Sequence, residues 1–289
     1  MLPLIGVGVV IACVFGGYII AGGKIAIVMQ ALPFEMLIIG GAGVGSVIIG
    51  NQLGVLKKIV GAFGKALRGP KWSKRDYQDL LLMMFQVGRL RKQKGNLALE
   101  THVEEPDESA IFSEYSKIMK DPFAKNLILD TLRMLTLDVD DPHKIESYIE
   151  AEIEKHHREE MEPQGALQTL ADAFPALGIV AAVLGVIKTM ASINEPPEVL
   201  GKLIGSALVG TFLGVFLSYG LAGPFAHRVK QIIDEETQFY YVIRDVLISV
   251  AQGDAPQVAV EIGRTNVPSP IQPTFYEIDE AATELPRID

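Results

Sequence analysis

The chain has 289 residues, 49% of them hydrophobic, with one cysteine and a formal net charge of −9 at pH 7. So apolar a composition at this length points first to membrane segments. The acidic balance argues against a nucleic-acid binder, and one cysteine excludes an internal disulfide framework and any multi-cysteine metal site.

Leu2 to Ala21 is the first of four stretches that approach the ~20 apolar residues needed to span a hydrocarbon core. It has no basic leader and its apolar run is too long for a signal peptide, so it reads as a span. Cys13 within it reads as a small packing residue. The second span runs from Leu32 to about Gly50, with Glu35 at its leading edge. It contains "GGAGVGSVIIG", which looks like a phosphate loop. Ser46 stands where the last glycine of that loop belongs, however, and the stretch lies inside a membrane run. Gly41 and Gly45, four apart, predict a face where another helix approaches closely.

The middle segment reads as amphipathic helices. "YQDLLLMMFQVGRL" puts Tyr77, Leu80, Met84 and Val87 on one stripe, and "KNLILDTLRML" is richly apolar. "HKIESYIEAEIEKHHREE" puts Ile145, Tyr148, Ile149 and Ile153 on one face, with charges opposite. His156 and His157 are adjacent, about 100° apart on a helix, so they cannot chelate a metal as an i, i+4 pair does. They read as part of a solvated charge run. Basic residues from Lys57 to Lys94 come first and nearly unopposed, and acids dominate from Glu100 to Glu162. The basic residues nearest the membrane fit anionic headgroups, each worth about 1 kcal/mol there. The abrupt switch from "RLRKQKG" to "LETHVEEPDE" fits either a solvated helix end or a docking surface for a charged partner.

The third span, Ala173 to Ile193, contains "FPALGIVAAVLGVIKTM". It has Pro175 near its mouth and Lys188 near its end, and no carboxylate or histidine. The fourth runs from Leu200 to Pro224 with Lys202 near its entry. Pro175 reads either as a plain first-turn proline or as a residue that frees carbonyls or permits a hinge, and Pro224 either as a helix stop or in the same way. After the fourth span, "VKQIIDEETQFYYVIRDVLISV" is another amphipathic pattern. The tail beyond Gly253, with five prolines (Pro256, Pro268, Pro270, Pro273 and Pro286), is expected to be extended or loosely docked.

The turn between spans one and two carries only Lys24, and "NEPPE" between spans three and four carries no Lys or Arg. Both termini and the middle segment are therefore expected to be cytoplasmic. The predicted fold is all-α, with four transmembrane helices in two hairpins flanking a helical cytoplasmic insertion. Its divisions are a hairpin at 1–50, the insertion at 51–165, a second hairpin at 166–225 and a helix with a Pro-rich tail at 226–289. No nucleophile elbow, Walker motif or zinc spacing is present, and nothing favours an enzyme, a cofactor or a metal site. Glu35, Asp172, Lys188 and Lys202 all read as lying near span ends, where snorkelling serves them. A proton path would then need a carboxylate from another polypeptide.

"DAFPALGIVAAVLGVIKTM" followed by "LGKLIGSALVGTFLGVFLSYGLAGP" closely resembles spans three and four of the MotA family of flagellar stator subunits. "FEMLIIGGAGVGSVIIGNQ" resembles its second span, "RKQKGNLALETHVEEPDESAIF" its charged cytoplasmic motif, and "VAVEIGRTNVPSPIQPTFYEID" its C-terminal tail. The likeness covers nearly the whole chain, in family order. It implies a bacterial inner-membrane protein, five copies of which surround two copies of a single-span, peptidoglycan-anchored MotB partner whose helix carries one aspartate. Ion flow then drives rotation against FliG, a rotor protein. By position Pro175 and Pro224 match the family's two functional prolines, Thr211 its pore-facing threonine and Glu100 its rotor-facing glutamate. The rotor-facing arginine falls at Lys92 here, with Arg91 beside it, so charge is kept but the planar guanidinium fork is not. Sodium-driven relatives place a threonine where this chain has Ala182, which implies proton coupling. Two other readings are an ExbB or TolQ type of energiser, disfavoured by four spans, and a passive membrane scaffold.

Overall fold

The computed structural model describes residues 2–137 and 141–286, and among these there is no strand. Ten helices of eight residues or more occur among the described residues. Helix α1 spans Leu2–Ile20 and includes a π-helical turn, Ala12–Gly16, in which Cys13 is exposed. Then come α2 (Ile25–Gly50), α3 (Leu53–Arg68), α4 (Lys74–Lys94), α5 (Leu97–Glu104) and α6 (Pro122–Thr136). Helix α7 is 50 residues long, Pro142–Ala191. Helix α8 runs Pro197–Gln252 with a second π-helical segment, Phe216–Ala222. Two short helices close the chain, α9 (Pro256–Thr265) and α10 (Phe275–Glu284). The residues group into two compact units, Met1–Gly69 with Glu160–Ile232, and Pro70–Glu159 with Ile233–Asp289.

The first unit holds the apolar helices. Among the described residues four helices are long and apolar enough to cross a membrane: α1, α2, α7 and α8. Their hydrophobic residues are not confined to one stripe, as expected where the outer face meets hydrocarbon rather than water. Ile39, Phe174, Ala181 and Leu213 form one buried cluster, and Val28, Ala31 and Val209 another. Helix α1 contributes no fully buried residue to either, but its Phe15 packs against the second cluster and edge-on to Phe212 and Phe216.

Several expectations change here. The second span begins at Ile25, not Leu32, because the apolar run extends back through Ile25–Met29 and Pro33 is carried inside the helix. The face formed by Gly41 and Gly45 meets nothing within 4 Å, and the close approach is at Gly43, against Leu170 and Phe174. Pro175 lies in the interior of α7 rather than in a first turn. Pro224 does not stop a helix: it sits just after the π-helical segment, and α8 continues for 28 residues to Gln252. The basic residues near the membrane are not unopposed, since Lys65 pairs with Glu160 at 2.7 Å and Lys58 approaches Glu162 at 3.9 Å. Helix α3 ends where Gly69 takes φ +88° and gives its N–H to the Lys65 carbonyl, a turn that a side chain would strain.

The second unit is a set of helices around a buried apolar core. The stripe Tyr77, Leu80, Met84 and Val87 is at most 1% exposed, and Ile145, Ile149 and Ile153 are fully buried. Trp72 stacks on Phe239 at 3.9 Å, with Tyr77 edge-on to the same ring. Ser73 and Asp76 form a capping box at the start of α4. Burial pushes the Asp76 carboxyl up, but hydrogen bonds from Lys117 and Ser73 outweigh it and hold the group below its usual range.

His156 and His157 are half-buried rather than fully solvated. His156 stacks on Phe123 at 3.8 Å, and the Nδ1 of His157 lies 2.9 Å from Thr237 Oγ1. No cluster of metal-ligating side chains occurs among the described residues. The tail is neither extended nor loose. Pro256 occupies the first turn of α9, where its missing N–H costs nothing, and Gly263 packs against Val246 and Leu81. Arg264 ties α9 down through Glu261 (2.6 Å) and the Pro273 carbonyl (3.0 Å).

Candidate functional site

In the membrane unit, four residues marked by sequence lie along the α7–α8 hairpin. Pro175 is half-buried in α7, and without an N–H it cannot bond the Ala171 carbonyl one turn back. Ala182 is two turns further on, also half-buried. Thr211 is half-buried on α8, while Pro224 is exposed beyond the π-helical segment. Segments of this π kind occur often at functional positions in helices.

What brings these residues together is a seam of glycines that the sequence reading did not single out. A Cβ built on Gly214 would sit 2.5 Å from the Phe174 carbonyl oxygen and 2.8 Å from Gly178 Cα. One on Gly178 would lie 2.8 Å from the Gly210 carbonyl, and one on Gly185 2.6 Å from Ala207 Cβ. Helices therefore meet closely along about three turns of α7 and two of α8, the small-residue packing that stands in for a hydrophobic driving force inside a bilayer. The seam sets Pro175 level with Gly214, and Ala182 level with Gly210 and so next to Thr211. Its sequence signal was legible in Gly210 and Gly214, four apart, and Gly178 and Gly185, seven apart.

The seam also touches a carboxylate. Glu35 is 6% exposed, and its Oε2 lies 2.7 Å from the Cβ position of Gly210. With the span starting at Ile25, Glu35 is the eleventh residue of a 26-residue helix and not a snorkelling residue at its edge. The expectation that Glu35 lies at the leading edge of its span therefore changes: it lies well inside the helix.

In the second unit the charged motif folds into a helix-capping device. Helix α4 stops at Gly95, whose φ of +81° and N–H bond to the Arg91 carbonyl close the last turn. Arg91 gives Nε to Asn96 Oδ1 at 2.7 Å and Nη1 to the Val250 carbonyl. Lys92 gives Nζ to the Gly253 carbonyl at 2.7 Å. Both cations thus sit on the terminal carbonyls of α8, where the helix dipole presents negative charge. Lys92 remains exposed at its edges, and Glu100 is exposed in the first turn of α5. Arg133 binds Glu104, 2.8 Å away, and is held above its usual range mainly by that bond.

Residues 4–95 match the Motility protein A N-terminal family, and residues 114–241 match the MotA/TolQ/ExbB proton channel family. Motility protein A of Salmonella typhimurium is 39% identical over 97% of this chain and 94% of its own length. Chemotaxis protein LafT of Vibrio parahaemolyticus is 33% identical over 98% of this chain and 99% of its own. The fold is like that of a chain in the flagellar MotAB stator complex from Bacillus subtilis, with a TM-score of 0.72, 22% identity and 98% of each chain covered. It is equally like one in C. jejuni MotAB, with a TM-score of 0.72 at 17% identity, covering 99% of this chain and 98% of that one.

Proposed function

The chain belongs to the Motility protein A family, and on that premise we propose that it is the multi-span subunit of a flagellar stator, an ion channel that turns proton flow into torque. The observation that carries this reading is the near-full-length likeness to Motility protein A at 39% identity, which spans both the apolar and the soluble unit. A single-span MotB-type partner supplies the aspartate at the centre of the path. Five copies of this chain surround the partner in the inner membrane, with both termini and the second unit cytoplasmic. The four spans and the full-length likeness disfavour an ExbB or TolQ role.

Pro175, Thr211 and Ala182 line or hinge the ion path, supported by their places along the glycine seam, and Pro224 works with the π-helical segment beside it. An elementary charge crossing 100 mV releases about 2.3 kcal/mol. That is enough to bias a seam with two arrangements around the partner helix. At position 182 a methyl group offers no oxygen, whereas sodium needs several oxygen ligands to replace its water. The path therefore carries protons. On the cytoplasmic side Lys92, Arg91 and Glu100 meet the rotor protein FliG. Lys92 and Glu100 present the exposed charge, while Arg91 fixes the end of α8 beneath them.

The test is rescue. Expressed with its own partner in a strain lacking its Motility protein A, this chain should restore swimming. Insertion and partner association without motility would overturn the reading.

A further inference from the structure

Glu35 is an ionisable group for which the family positions named above have no use. Its side chain is 94% removed from solvent by this chain's own helices, and among the described residues its Oε2 has no hydrogen-bond partner. It points at Gly210, where an added Cβ would also lie 3.1 Å from Ala181 Cβ and 3.2 Å from the Ala182 nitrogen. The Ala182 N–H is already committed within α7, so no donor faces the carboxyl.

Other charges are too far along the helices to help. At about 1.5 Å per residue, Lys188 is about 9 Å along α7 from Ala182, Lys202 about 12 Å along α8 from Gly210, and Asp172 about 14 Å from Ala181. All three are exposed, and Asp172 is bonded to Gln168. On α1 the titratable Cys13 and Tyr18 are exposed as well. An unpaired ionised carboxylate in an apolar interior costs several kcal/mol. A neutral carboxyl with an unmet hydrogen bond costs about 1–3 kcal/mol. Sodium is a poor occupant, since one carboxyl and helical backbone provide too few free oxygens.

We propose that the Glu35 carboxyl is a proton-binding site of the membrane unit, distinct from the partner's aspartate, and that the α2–α8 contact at Gly210 closes over it only when the proton is bound. Losing that proton leaves a charge against a glycine backbone, and only separation of α2 from α8, admitting water, relieves it. The carboxyl occupies the volume a side chain at position 210 would need, so its charge state and the seam are mechanically linked. The binding site itself stands without the stator reading; its use in transport rests on that reading.

The experiment uses the chain with its partner in lipid nanodiscs and reads infrared carboxyl bands of wild type and Glu35→Gln. The expected difference spectrum shows loss of a protonated-carboxyl C=O band, and dicyclohexylcarbodiimide, which attacks protonated carboxyls in apolar surroundings, should label Glu35 in the wild type. Loss of an ionised-carboxylate band instead, with no label on Glu35, would overturn the site. For the linkage, swimming speed in Glu35→Gln should lose part of its dependence on cytoplasmic pH while Glu35→Asp restores it. A pH profile identical in all three would overturn that half. A wild type that supports no motility but still shows the band fails the stator reading and leaves the site standing.

Discussion

At Gly214 a missing methyl group decides how two spans meet. Gly214→Val would place carbon against the Phe174 carbonyl and Gly178 backbone, neither of which can yield as a flexible side chain does. We expect it to cost about 1–3 kcal/mol of overpacking and to abolish swimming. Gly41→Val, on a face with nothing within 4 Å, should leave both protein level and speed near wild type. A swim-plate assay with immunoblotting separates the two. The charged motif divides in a similar way. Arg91→Ala removes a charged donor from two buried-side acceptors and should lower the stability of the soluble unit by about 1.5–3 kcal/mol, read as a fall in melting temperature. Charge reversal at Glu100 should leave the melting temperature unchanged and reduce torque, because its carboxylate is exposed. Motif and charge showed in the sequence that Arg91, Lys92 and Glu100 matter. They could not show that both cations lie on the last carbonyls of a helix more than 150 residues later, because pairing over that separation has no local signal.

Helices α9 and α10 show how the same prolines can be read two ways. Five prolines beyond Gly253 suggest a loose tail, yet Pro256 starts a helix and Thr274 with Glu277 forms a capping box for the next. Truncation after Gly253 should expose Leu81 and Val246 and leave the soluble unit protease-sensitive and several kcal/mol less stable, checked by limited proteolysis. The Glu277 carboxyl is held down at about 2 by the Lys74 ammonium, with help from the Thr274 backbone. Its folded value lies below its unfolded one, so its stabilisation is present above pH 4.5 and disappears as pH falls through about 2. Lys74→Met should therefore lower thermal stability at neutral pH, and the difference from wild type should vanish toward that acid limit. Periodicity made the stripes of α4 and α7 legible because one face meets a core and the other water. It gave no such help inside the membrane, where both faces are apolar. There the choice of Gly43 over Gly41 depended on packing.

Across the whole molecule, the proposed proton coupling has one direct test. Swimming should persist in sodium-depleted medium and stop with a protonophore; speed that tracks external sodium would reassign the ion and leave Ala182 unexplained. The order of apolar and amphipathic segments made the two-hairpin architecture readable at this scale. The two π-helical segments were not readable, since inserting one residue into a helical turn leaves no compositional mark. One of those turns has a practical use. It presents Cys13, the chain's sole thiol, exposed on a helix that gives no fully buried residue to either membrane core cluster. A nitroxide attached there needs no cysteine-free background and no engineered mutation. Dipolar spectroscopy on the native sequence then reads the spacing between neighbouring subunits directly, and an intermolecular cross-linker at the same atom traps it.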